Sequence, residues 1–258
     1  MSTDPDSLEN IFISHTGKVS DKWDIYIKEY SRILHPYRDK PVGILEIGIQ
    51  NGGSLEIWDK YFKNCNYILG VDINNDCKAL QFKTTKISTI VADINTQETE
   101  ELILEKFSSF EIIIDDGSHT SGDIIKSFCR YFKHLSDDGI YIIEDMHCSY
   151  WKKFGGGINE EYSAVSFLKL LIDTINYEHW ESNEPRGKIL DSFAAHYNIT
   201  IDEETITHIY SIEFLNSLCI IKKKSPDKNI LGKRIISGEV ADVWDGALLL
   251  KNLKQTTE

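Results

Sequence analysis

Acidic side chains close the short apolar runs of this chain, and two of those runs end in acidic pairs. Asp115-Asp116 follows Phe110 to Ile114 and leads into Gly117-Ser118-His119, while Glu144-Asp145 follows Ile140 to Ile143 and leads into Met146-His147. If the two runs are neighbouring strands, both pairs meet at one sheet edge. Three or four carboxylates at one spot raise one another's pKa unless a cation sits among them. Oxygen ligands without cysteine suit Mg²⁺ or Mn²⁺ better than zinc. His119, three residues after Asp116, then stands where a base could act on a hydroxyl lowered in pKa by the metal. The alternative is an acidic rim with His119 and His147 merely exposed.

A second constellation lies upstream, in VGILEIGIQNGGS (Val42 to Ser54). Its apolar run ends in Glu46-Ile47-Gly48, and Gly52-Gly53 leads into the helix-like SLEIWDKYF that Ser54 opens. Strand, glycine turn and helix bring a nucleotide-like ligand against backbone amides at a strand's carboxyl end. A side chain at Gly48 or Gly52 would hold such a ligand away and resist positive φ. The spacing E-x-G-x-x-x-G differs from the G-x-G-x-x-G expected under a pyrophosphate, which disfavours a nicotinamide or flavin and favours S-adenosylmethionine. The glycines alone are equally consistent with a tight βα turn. Asp72 closes the next apolar run, where a carboxylate can accept from both ribose hydroxyls, and Asp93 closes the one after, where it can meet an adenine amino group. Each alone is also an ordinary strand end or helix cap.

The elements that must position these residues alternate regularly. After the glycine turn, Tyr67 to Ile73 reads as a second strand, Asp76 to Lys83 as a helix, Ile87 to Ile94 as a third strand, and a helix is expected near Thr96 to Lys106. Phe110 to Ile114 and Ile140 to Ile143 are the fourth and fifth strands, with an amphipathic helix at Ile124 to Leu135 between them. Tyr162 to Trp180 is a long helical pattern, and Thr207 to Phe214 and Ser217 to Lys223 are two strands joined at Leu215-Asn216. The fold expected is α/β, a doubly wound, mostly parallel sheet with a late antiparallel hairpin and helices on both faces. Residues 1–40, with Trp23, Tyr26, Ile27 and Tyr30 at helical spacing, are expected to form cap helices over the site, residues 41–224 the main domain, and 225–258 a tail with a helix near Ser237 to Leu253. Those aromatics read more readily as core than as ligand contacts.

Composition narrows the function classes. The 258 residues suffice for one large α/β domain without staples. Forty-one acidic against 28 basic residues give a formal charge of −13, which argues against nucleic acid and anionic membrane surfaces. Five scattered cysteines with no C-x-x-C pair indicate neither a disulfide framework nor a zinc site. With no basic-then-apolar leader and no apolar run of membrane-spanning length, a cytoplasmic protein is expected.

Taken in series, LEIGIQNGGSLEIWDKYF, GVDIN, IIIDDGSH, IIEDMHCSYW and FGGG resemble the metal-dependent S-adenosylmethionine methyltransferases related to macrolide sugar O-methyltransferases and to the proteins labelled cephalosporin hydroxylase. The similarity covers about Trp23 to Lys223 and implies the seven-stranded methyltransferase variant of the Rossmann fold. It also implies Asp116, Glu144 and Asp145 as metal ligands and His119 as general base. Glu46, Gly48, Asp72 and Asp93 would hold the methyl donor, with Gly52, Ser54 and Asp115 completing the expected donor site. Asp21 to Tyr30 is similar to the family's donor-side helix, with Asp24 and Ile25 where His often precedes the Tyr. The activity implied is Mg²⁺-dependent O-methylation of a sugar, glycan or glycosylated small molecule, and a homo-oligomer is expected. The hydroxylase label finds no two-histidine, one-carboxylate iron set here. Tyr150, Trp151 and Phe154, before Gly155-Gly156-Gly157, sit in a loop that is either a sugar-stacking lid or a plain connector. A catalytically silent donor-binding subunit and a nicotinamide oxidoreductase are the other function classes.

Overall fold

The computed structural model describes residues 4–246, 248 and 249. Its centre is a seven-stranded sheet in the order β3-β2-β1-β4-β5-β7-β6, built from β1 (Gly43–Ile47), β2 (Tyr67–Asp72), β3 (Ile87–Val91), β4 (Phe110–Asp115), β5 (Leu135–Ile143), β6 (Ile209–Leu215) and β7 (Leu218–Lys223). The first five strands run parallel, whereas β7 is antiparallel to both β5 and β6. The expected α/β sheet with a late hairpin is the observed one. All five residues of β1 are buried, as a central parallel strand covered on both faces requires.

Alternation along the strands splits the core in two. Leu45, Ile47, Leu69, Val71, Ile113, Tyr141 and Ile143 face one helical layer, which contains α4 (Gln97–Leu104), α5 (Ser121–Tyr131), α6 (Ala164–Ile175), α7 (Asp191–Tyr197) and α8 (Glu203–Thr207). Ile44, Ile68, Ile112, Ile114, Ile140 and Ile142 face the other, which contains α1 (Leu8–Ile13), α2 (Asp24–Leu34) and α3 (Gly53–Tyr61). Leu8, Tyr26, Tyr30, Ile33 and Leu34 belong to that second core, so the N-terminal helices pack as part of the sheet's own covering layer. Each fully buried aliphatic or aromatic side chain here contributes about 1.5–3 kcal/mol.

Helix ends follow local chemistry. Thr96, Thr120 and Ser163 each accept a backbone N–H three residues on, capping α4, α5 and α6. The helix expected at Asp76 to Lys83 is instead a single 3-10 stretch, Asn75–Ala79. Asn74 caps it through the Asp76 N–H, and Cys77, Leu80 and Phe82 reach the core without a longer helix. The long pattern at Tyr162 to Trp180 is α6 followed by a separate turn at Tyr177–His179. Of the expected C-terminal helix, residues 237–245 have no helical turn and the chain first turns helical at Gly246. The segment from 250 onwards lies outside the described residues. Among the described residues no helix is long and apolar enough to cross a membrane.

One ionic cluster ties α4 to α5. Glu100 meets Arg130 and, at 2.8 Å each, Lys133 and His134. Burial alone would raise its carboxyl, but the hydrogen bonds from His134, Lys133 and Arg130 outweigh it and hold Glu100 at about 2 against an ordinary 4.5. A depressed carboxylate contributes stability that is fully present above the ordinary value and lost as pH falls through the folded one. Denaturation midpoints should therefore drop between about pH 4.5 and 2. Glu100→Gln should lose about 1 kcal/mol at neutral pH and flatten that acid limb. Urea titrations from pH 2 to 7 check this.

Candidate functional site

A cavity of about 450 Å³ opens at the carboxyl edge of β1 to β4. Parallel packing with the strand order reversing between β1 and β4 puts a crevice here, and the sequence fills it with acidic strand ends. Of the residues read as candidates, Glu46, Gly48, Ser54, Asp72, Asp93 and Asp115 line the cavity, as do Asp116, His119 and Asp145. Gly52 and Glu144 do not.

Gly48 directly follows β1 and lies against Asp116 and Gly117, which follow β4. Its φ is +81° and a Cβ there would run into the Asp116 carbonyl, while Asp116 N–H donates to Ile47 O at 2.8 Å. Gly52, with φ +77°, backs onto Phe82 and Leu80 rather than the cavity. Its freedom serves the N-terminus of α3, and it is not among the residues that line the cavity. Asp72 accepts the N–H groups of Ile49 and Gln50 at 2.9 Å each and that of Asn74 at 2.8 Å. The carboxylate at the end of β2 thus braces the glycine turn at the end of β1.

Three carboxylates are buried in or beside the strands. Glu46 points to the α3 side of β1, where Oε2 accepts from Trp58 Nε1 at 2.8 Å. Its Oε1 is buried with no hydrogen-bond partner among the described residues, and burial pushes its carboxyl up against the pull of Lys22. Asp115 accepts from Ser127 Oγ and, at 3.3 Å, from Gly117 N–H. Burial raises it to about 7, and the Ser127 contact makes it a staple between β4 and α5. Glu144 Oε1 takes the Lys22 ammonium at 2.7 Å and the Tyr30 hydroxyl at 2.5 Å. Burial raises Glu144 to about 8, with Lys22 opposing and Asp116 adding to the rise.

Asp116, His119 and Asp145 form the cluster at the mouth. One ligand atom from each lies within 4.8 Å of the others. Asp116 pairs with Lys22, and His119 Nε2 is 3.6 Å from Asp145 Oδ2. Asp145 Oδ1 also accepts from Tyr26 OH at 2.8 Å and from Trp23 Nε1 at 3.1 Å, and Tyr26 OH accepts the Asp145 N–H at 3.0 Å. His119 and Asp145 both adopt left-handed backbone, φ 58° and 53°. For side chains other than glycine that conformation persists only where surrounding bonds over-determine it. Glu144 stands apart from this cluster in the expected metal set, because Lys22 and Tyr30 take up its Oε1.

Lys22, Tyr26 and Tyr30 were not among the candidates. The aromatics read as core, which they are, yet their hydroxyls reach past the core to the carboxylates. Lys22 was signalled only by the need of an acidic cluster for a cation. Its side chain is 3% exposed. Burial works against its charge, yet Glu144, Asp116 and Glu46 outweigh that and raise its pKa. The loop after Glu144 is tied down: Gly157 N–H donates to Ser149 O at 3.0 Å. His147 leans on Ser217 Oγ at 2.5 Å and meets Trp23 and Trp151 edge to face.

No protein-family model matches the chain. It is 30% identical over 200 residues to the 8-demethyl-8-alpha-L-rhamnosyl tetracenomycin-C 2'-O-methyltransferase of Streptomyces olivaceus, covering 72% of this chain and 52% of that protein. It is 35% identical over 172 residues to the mycinamicin VI 2''-O-methyltransferase of Micromonospora griseorubida, covering 63% and 42%. It is 36% identical over 174 residues to the L-olivosyl-oleandolide 3-O-methyltransferase of Streptomyces antibioticus, covering 62% and 44%. Among solved structures, the MycE methyltransferase from the mycinamycin biosynthetic pathway in complex with Mg and SAH superposes with a TM-score of 0.66 at 26% identity, over 88% of this chain and 54% of that one. Another crystal form of the same complex gives 0.72 at 24%, over 95% and 60%. The chain spans about half the length of the curated relatives it matches.

Proposed function

We propose that this chain, which resembles sugar O-methyltransferases over 62 to 72% of its length, transfers a methyl group from S-adenosylmethionine to a hydroxyl of a sugar or glycosylated small molecule with the help of Mg²⁺ or Mn²⁺. The observation that carries the reading is a single cavity joining the glycine turn, Asp72 and Asp93 to Asp116, His119 and Asp145. Donor and acceptor would then meet without leaving shared walls. The relatives named above act on glycosylated compounds, and the similar MycE structure holds Mg and SAH, in support of the same pairing here.

The donor set is acidic where the donor is cationic or hydroxylated. Glu46 Oε1, a buried acceptor without a donor, suits the α-ammonium of a methionine moiety. Asp93 is left to meet the adenine amino group, and Asp72 the ribose with whatever lone pairs the glycine turn leaves it. Gly48 lets the backbone approach the ligand. A hard divalent cation fits the other end, since Asp116 and Asp145 offer oxygens close together and Tyr26 and Trp23 fix one of them. Asp116 and Asp145 would hold it, with Glu144 behind them. When bound, such an ion supplies Lewis-acid polarisation of the acceptor oxygen.

The chain's own residues do the rest. His119 takes the proton of the acceptor hydroxyl, and Asp145 stabilises the imidazolium so formed. Tyr26 keeps Asp145 in its strained conformation, so this geometry exists before the acceptor arrives. Methyl transfer from a sulfonium needs little covalent help, which leaves positioning as the main contribution of the protein.

Glu46→Gln would turn an amide N–H₂ towards the donor's ammonium. Calorimetry should show affinity for S-adenosylhomocysteine reduced at least tenfold, about 1.4 kcal/mol; unchanged affinity places the methionine end elsewhere.

Turnover itself is read with tritium-labelled S-adenosylmethionine and a panel of deoxysugar glycosides. EDTA should abolish transfer and Mg²⁺ restore it. His119→Ala should lower kcat on the order of a hundredfold while S-adenosylhomocysteine affinity stays the same. Donor binding with no transfer across the panel and no metal dependence would instead mark a silent donor-binding subunit.

A further inference from the structure

We propose that Lys22 is a tethered counter-cation of this site, whose ammonium holds the place between Asp116 and Glu144 until a divalent cation displaces it. The inference rests on the metal reading given above and concerns the residue that reading leaves unexplained. Lys22 contacts both carboxylates at once, at 2.7 Å for Glu144 Oε1, and its side chain is almost fully buried. Few lysines are buried to this degree without a paired charge, and two carboxylates are more than pairing requires.

The same oxygens cannot serve two cations. Glu144 Oε1 already accepts from Lys22 and Tyr30, so it has no lone pair left for a third partner. A divalent ion drawing on Asp116 and Glu144 together would sit within a few ångströms of the ammonium and repel it. With Lys22 in place, Glu144 is taken up and Asp116 is partly neutralised, so that His119, Asp145 and what Asp116 still offers are left to attract an ion. With Lys22 withdrawn, Glu144 joins them.

The chain around Lys22 is built to let it go. Upstream, the segment is fastened to α3 at Lys18, whose N–H donates to Glu56 Oε2 at 2.8 Å and whose carbonyl meets His15 Nε2 at 2.9 Å. Downstream, α2 begins beyond the N-cap residue Trp23. Val19 to Lys22 between these anchors form neither helix nor strand and line the cavity. A four-carbon stem with free torsions can swing from such a stretch without disturbing the core. Metal uptake and opening of this wall of the cavity are then one event.

The test is calorimetric titration of Mn²⁺ into wild type, Lys22→Met and Lys22→Arg at one pH. Lys22→Met should bind Mn²⁺ tenfold or more tightly than wild type, and Lys22→Arg, which keeps the charge, should not. Equal or weaker binding by Lys22→Met overturns the proposal. Absence of Mn²⁺ binding by all three proteins overturns the metal reading and this inference with it. A second measurement uses wild type alone: acetic anhydride labelling of Lys22, read by peptide mass spectrometry, should rise several-fold when Mg²⁺ is added. Labelling unchanged at saturating Mg²⁺ means that Lys22 stays in place, and the proposal fails.

Discussion

Buried carboxyl groups at the ends of β1, β4 and β5 are the constraint around which the rest of this structure is arranged. Glu46, Asp115 and Glu144 are 1%, 4% and 2% exposed, in or directly after strands that adjoin in the sheet. A carboxylate so placed is costly unless it is hydrogen-bonded or paired. Each is compensated from a different element: Glu46 from Trp58 on α3, Asp115 from Ser127 on α5, and Glu144 from Tyr30 on α2 and Lys22 just before it. Both helical layers are thereby fixed to the sheet edge by polar contacts as well as by their apolar faces. The N-terminal segment is needed at the site, because without Lys22 and α2 Glu144 would lose both its donors.

The carboxylates that remain at the cavity are the ones to which the proposed chemistry is assigned, and their geometry depends on that buried layer. Asp145 follows Glu144 directly, and its left-handed backbone is held by Tyr26, one turn before Tyr30 on the same helix. Packing of α2 therefore sets the position of the oxygen that faces His119. On the other side, Asp72 braces the turn at Ile49-Gln50, so the glycine turn is stiffened by the residue read from sequence as a ligand. Each of these polar groups has a structural duty, and the site is what their remaining valence leaves over.

Much of this was legible because parallel strands buried on both faces must be apolar runs, and their ends must carry whatever faces the crevice. Glu46, Asp72, Asp93, Asp115-Asp116 and Glu144-Asp145 mark five strand ends in order, and the late hairpin shows in its alternating pattern. Contacts between distant segments were not legible. Lys22 reaches Asp116 and Glu144 across 94 and 122 positions of chain, and nothing local distinguishes it from a surface lysine. The stretch Asp76 to Lys83 carries helical spacing, yet one 3-10 turn suffices to bury Cys77 and to pack Leu80 against the core. Gly52 shares a glycine turn with Gly48, which lines the cavity, and so read as part of the same site; the direction of its missing side chain, towards Phe82, emerges only from the fold.

The central claim is that the carboxylates converging beside His119 are a cation site within the donor's cavity. Crystals grown with S-adenosylhomocysteine and soaked in Mn²⁺ test it most directly, through anomalous scattering at the manganese edge. The account predicts a peak between the Asp116 and Asp145 carboxylates at coordination distance, in the same cavity as the bound nucleoside. A map with the nucleoside in place and no anomalous peak there would contradict it.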